Sequence, residues 1–135
     1  AALLTMKNYD FDSILFPLNF ACWNAGNFGP QGYAEAEKRG MGILALKAMA
    51  LTPLKNGEER LYKNVWYQPI QDEEIMKMAL KYTLSKNITA AVPPGKNTLF
   101  LKALEFMNEY KPISEEETNK LLALSKITKP IFMHT

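Results

Sequence analysis

The stretch Lys38-Arg39-Gly40-Met41-Gly42-Ile43-Leu44-Ala45-Leu46-Lys47 decides the fold. Its first residues close a helix. Pro30 stands where a first helical residue belongs, Glu35 and Arg39 form an i,i+4 pair, and Gly40 supplies the stop. Gly42 to Leu46 then form a short apolar run without polar alternation, the pattern of a strand covered on both faces in a parallel sheet. A helix that ends two residues before such a strand is one step of a βαβ chain.

Working outward, the same pattern recurs on both sides. Ser13-Ile14-Leu15-Phe16-Pro17-Leu18 and Ile88-Thr89-Ala90-Ala91-Val92 read as two further buried strands. Asp72 is placed to cap a helix with Ile75, Met78, Ala79 and Tyr82 inward. Asn97 is placed to cap another with Phe100, Ala103, Leu104 and Met107 inward. Ser114 and Glu117 spell a capping box ahead of Leu121, Leu122 and Leu124. Ala1 to Lys7 read as the last turns of a helix. The predicted order is a helix end, three strand–helix units and an extra C-terminal helix. That is α/β architecture with a parallel sheet and right-handed crossovers, expected as a single domain over 1–135. Eight such units take about 250 residues, so the expectation is a partial (β/α) TIM barrel with two open sheet edges.

Composition narrows the function. The 135 residues are 47% hydrophobic and 22% charged, which suits a packed core and not disorder. A net charge of +2 with scattered lysines gives no basic stripe, so neither nucleic acid nor an anionic membrane is an expected partner. The single cysteine, Cys22, cannot close an internal disulfide, which fits a reducing, cytoplasmic setting. No apolar run approaches the roughly 18 residues that span a bilayer.

Gly26-Asn27-Phe28-Gly29 and Gly40-Met41-Gly42 do not follow a strand and open a helix, so they are not a dinucleotide fingerprint. Phosphate-loop, zinc and nucleophile-elbow spacings are missing, and His134, the one histidine, falls in a tail expected to fray. Three segments hold the candidate chemistry. The long connection from Ala50 to Gln71 follows a strand's C-terminal end, where barrel enzymes build active sites; a structural loop is the alternative. Lys47 ends the second strand, where an ammonium would meet a phosphate or carboxylate, or would be merely solvated. Val92-Pro93-Pro94-Gly95-Lys96-Asn97 offers helix N-terminal amides beside a cation, which suits a phosphate; a plain Pro-Gly turn would have the same composition.

Three stretches also carry a family likeness. Phe11 to Asn19, with its Pro17-Leu18-Asn19 turn, resembles the sixth barrel strand of aldo-keto reductases. Lys38 to Lys47 resembles the seventh. Ala79 to Ser85 followed by Ile88 to Pro93 is similar to the seventh helix and eighth strand. The likeness runs over the whole chain in order. It implies the C-terminal fragment of an NAD(P)H-dependent oxidoreductase acting on small carbonyl compounds. The general-acid tyrosine of that family and its companions come from the first four strands, which this chain lacks, so no catalytic residue and no metal ligand is expected here. The expected NADP-binding residues are Lys47 at the strand tip and Pro94, Gly95, Lys96 and Asn97 in the turn; the resemblance puts Lys96 at the position that grips the adenosine phosphate, with Gly95 and Asn97 fitting the surrounding loop. Leu15, Leu46 and Leu104 depart from the polar and aromatic cofactor contacts common in the family. Expected partners are the missing N-terminal barrel segment or a second copy. Two other readings stay open: a non-catalytic, self-associating half-barrel, and a phosphate-binding half-barrel of an isomerase or lyase.

Overall fold

The computed structural model describes residues 1–134. The elements run α1 (Ala2–Asn8), β1 (Ser13–Pro17), α2 (Phe20–Asn24), α3 (Pro30–Lys38), β2 (Gly42–Leu46), β3 (Ala50–Pro53), β4 (Tyr67–Pro69), α4 (Glu73–Leu84), β5 (Ala90–Ala91), α5 (Asn97–Asn108) and α6 (Glu115–Ile127). β1, β2 and β5 form one parallel sheet in that order, with Ser13 opposite Gly42 and Leu44 opposite Ala90. The mixed α/β class and the small parallel sheet are as expected.

The helix ends follow local chemistry. α3 starts on Pro30 and ends in a Schellman motif, where Gly40 N–H reaches Glu37 O at 3.1 Å and Met41 N–H reaches Ala36 O at 3.0 Å. Gly40 sits at φ 65°, where glycine carries no Cβ penalty. Asp72 accepts from Ile75 N–H at 2.9 Å and opens α4. The Ser114–Glu117 capping box is complete, and the same Glu117 takes Lys81 of α4 at 2.7 Å. One end of α6 is thereby pinned to α4.

The core lies between the helices and the 50–70 segment. Phe20, Met49, Ile70, Met76, Ala79, Tyr82, Leu99 and Leu121 are buried together. Each large apolar side chain so placed contributes about 1.5–3 kcal/mol. Thr83 is fully buried, but its hydroxyl donates to Leu18 O at 3.0 Å, tying α4 to the end of β1.

Several expectations need correction. The strands are not covered on both faces. Ile43 and Ala45 are buried, whereas Leu15 is 56% exposed and Ser13 and Ala90 are also exposed, so one sheet face is open. The third strand contracts from 88–92 to Ala90–Ala91, flanked by single bonds from Thr89 N–H to Ile43 O and from Val92 N–H to Ala45 O. The first ends at Pro17, because Asn19 already caps α2, a helix not foreseen. The Ala50–Gln71 connection is not loop throughout: its two ends, β3 and β4, pair antiparallel, with Val65 and Tyr67 buried against Ala50, and residues 54–66 between them form no helix or strand. The tail is anchored. Phe132 stacks on Phe28, and His134 N–H donates to Gly26 O at 2.8 Å. A Cβ on Gly26 would run into the Phe132 carbonyl and would sit 2.8 Å from Cys22 O.

Candidate functional site

Beyond the carboxyl ends of β2 and β5 opens an apolar chamber of about 220 Å³. In open parallel sheets this is where ligands bind. Its walls are Leu46 at the end of β2, Met49 just after it, Tyr67 of β4, Leu80 and Leu84 of α4, and Phe100 and Leu104 of α5. Pro94 and Gly95 form part of the lining, and Lys47 is its only charged residue among those described.

Lys47 is held in an unusual way. Its φ is 69°, a left-handed conformation that costs a residue with a Cβ roughly 1–2 kcal/mol. Two hydrogen bonds fix its carbonyl, from Asn19 Nδ2 at 3.1 Å and from Ala50 N–H at 2.9 Å. Asn19 is fully buried, and its Oδ1 meanwhile accepts from Cys22 N–H at 2.8 Å to start α2. One side chain therefore couples the end of β1, the start of α2 and the turn that aims Lys47. The Lys47 Nζ lies 4.6 Å from the Tyr67 ring centroid and 5.4 Å from that of Trp66. Ring faces favour the ammonium. Burial works against it and pushes the amine below the ordinary lysine value, as it pushes the Tyr67 hydroxyl up. Lys47 takes part in none of the ion pairs among the described residues.

The five expected cofactor residues do not converge. Lys47, Pro94 and Gly95 share the chamber. Lys96 and Asn97 do not line it. The Lys96 Nζ lies 5.4 Å over the Tyr62 ring, and Asn97 is exposed. Asn97 does not cap α5 either; Lys96 occupies the N-cap position, and no side chain caps the first turn. The N–H groups of Asn97 and Thr98 are therefore left to meet an anion, whereas that of Leu99 turns back to Lys96 O at 3.0 Å. The Asn64 side-chain amide holds Gly95 O, which docks this turn on the 50–70 segment.

α5 is also rotated relative to the expected stripe. Leu99, Ala103 and Phe106 face the core, whereas Phe100 and Leu104 remain 38% and 47% exposed on the chamber side. The 100, 103, 104, 107 spacing did mark a face, but that face looks into the chamber. Trp66 and Tyr67 fall within the Ala50–Gln71 connection expected to hold candidate chemistry, whereas Asn19 is not among the expected site residues. The asparagine after Pro17-Leu18 was the one available signal, because asparagine is a strong N-cap type. Among the described residues there is no group of three or more metal-ligating side chains, and no helix is long and apolar enough to cross a membrane. Comparison with protein-family models, curated proteins and solved structures finds no match to this chain.

Proposed function

We propose that this chain is the C-terminal, cofactor-side part of an aldo-keto-reductase-like barrel oxidoreductase that uses NADP on small carbonyl compounds. The observation that carries the reading is the 93–97 turn. It follows β5, leaves the first turn of α5 without a side-chain cap, and sets Lys96 beside it. Free amides at a helix N-terminus beside a cation bind phosphate oxygens by charge-assisted hydrogen bonds. The sixth-to-eighth-strand resemblance assigns this turn the phosphate grip, and the parallel β1, β2 and β5 are compatible with three consecutive barrel strands.

When bound, the nicotinamide would supply the hydride. This chain's residues bind and orient: the α5 amides and Lys96 hold the phosphate end, and Lys47 adds positive charge at the chamber. Reducing a carbonyl also needs a proton donor beside the developing alkoxide. The resemblance assigns that donor to the family's first four barrel strands, and the reading sets the protein in the cytoplasm. Calorimetry with NADPH should give high-micromolar affinity that falls as salt rises. Lys96→Ala should weaken it by about three- to tenfold, the lower range for one partly exposed charged contact. NADPH oxidation with aldehydes should stay at the blank. Tight binding untouched by Lys96→Ala would refute the reading.

The open sheet face favours a second reading, in which the chain completes itself by self-association. Leu15, Leu44 and Ala90 lie in one register row, and the exposed Leu15 needs a cover from another barrel segment or another copy.

A further inference from the structure

The Lys47 chamber has features that a phosphate grip at Lys96 does not use. Its volume, about 220 Å³, exceeds the ~150 Å³ that accommodates one benzene ring in a protein interior and falls short of the ~300 Å³ lower end for drug-sized ligands. The walls are aliphatic and aromatic. Phe100 and Leu104 are left half-covered against it, although both are large apolar residues on a 12-residue helix whose opposite side packs into the core. At the end of β2 stands one amine without a carboxylate partner. Tyr67 and Trp66 flank it, and a left-handed turn that buried Asn19 helps secure holds it in place. A strained, over-determined residue at a cavity is a recurrent mark of a binding site. No Asp or Glu lines the chamber among the described residues, so nothing there neutralises the lysine or repels an anion.

We infer that the chamber binds a small apolar monocarboxylate, one aromatic ring or a short alkyl chain in size, with its carboxylate on the Lys47 ammonium and its apolar body against Phe100 and Leu104. One cation matches one negative charge. A neutral ligand of the same shape would leave Lys47 half-buried and unpaired, and a cation would meet it with like charge. The aromatic flank keeps the ammonium in place before the ligand arrives, so little side-chain freedom is lost on binding. The site goes beyond the phosphate grip and does not depend on it.

Calorimetry on the full chain at pH 7 with octanoate, 1-octanol and octylammonium tests this. Octanoate should bind at least tenfold more tightly than the alcohol, and the ammonium should not bind measurably. Lys47→Met should reduce the preference for acid over alcohol to within twofold. Lys47→Arg, with the same charge in the same fold, should keep most of it. Leu104→Glu on the exposed wall should weaken octanoate by tenfold or more with the circular dichroism unchanged. Equal binding of acid and alcohol, or a preference that survives Lys47→Met, would overturn the inference. The NADPH titration with Lys96→Ala is a separate arm. NADPH binding absent from the native chain or untouched by Lys96→Ala, with the octanoate preference intact, refutes the cofactor reading alone; NADPH binding weakened by Lys96→Ala, with no preference for octanoate over the alcohol, refutes the chamber alone.

Discussion

Replacing Asn19 by alanine tests the coupling of the fold to the site. The side chain is fully buried and makes two hydrogen bonds, to Cys22 N–H at 2.8 Å and to Lys47 O at 3.1 Å. Alanine leaves the Cys22 N–H without a partner where Cys22 itself is buried, which costs about 2 kcal/mol. The N-cap loss of ~1 kcal/mol describes that same bond and is not added. The Lys47 carbonyl keeps Ala50 N–H, so the second bond contributes only its net value, about 1 kcal/mol. The sum is about 3 kcal/mol. With a urea slope of ~2 kcal/mol/M, the unfolding midpoint should fall by about 1.5 M. Asn19→Ser keeps a capping oxygen but cannot span to Lys47, so it should lose about 1 kcal/mol. Urea titration followed by circular dichroism reads both. A midpoint shift under ~0.3 M for the alanine variant would refute the reasoning, since a water or another donor would then satisfy Cys22.

The Cys22 thiol is fully buried, and burial raises its pKa above the unfolded value. Its contribution to stability is therefore fully present below the unfolded thiol pKa of about 8.5 and is lost as pH rises through the folded value. Urea midpoints from pH 7 to 10 should fall more steeply for the native chain than for Cys22→Ala; parallel curves would count against this. The open face around Leu15 should make the isolated chain a dimer or larger in light scattering. A stable monomer of about 15.3 kDa at nanomolar concentration would show that the open face needs no cover. Together with the NADPH and octanoate titrations above, these measurements address the fold, the partner and both halves of the site.

What was legible in the sequence divides along physical lines. Local signals held where the deciding interaction is local. The Gly40 stop, the Asp72 cap and the Ser114–Glu117 box involve residues a few positions apart, and each stands as expected. The β2 run was readable because Ile43 and Ala45 are buried and the strand is flanked on both edges. Non-local choices were not readable. Pairing of β3 with β4 joins Ala50 to Pro69 across a Pro- and Gly-containing segment, and nothing in either stretch names the other. The rotation of α5 turns on whether Leu99 or Phe100 wins the core, and a helix with apolar residues at 99, 100, 103, 104, 106 and 107 supports both. Lys47 was legible as a strand-end cation. Its aromatic flank was not, because Trp66 and Tyr67 come from a ribbon whose existence was unread.

The backbone at Lys47 asks for a glycine. At φ 69° a residue without Cβ would sit at ease, and the chain does use glycine in this conformation at Gly40 and Gly57. Here it keeps a long cationic side chain instead, at a conformational cost of roughly 1–2 kcal/mol. Folded proteins hold only some 5–15 kcal/mol in reserve, so that is a substantial fraction to forgo at one position. A glycine there would relax the turn and erase the amine in the same step. Stability and ligand recognition thus pull this residue in opposite directions, and a search for more stable variants of the chain would be drawn first to the position its chamber can least spare.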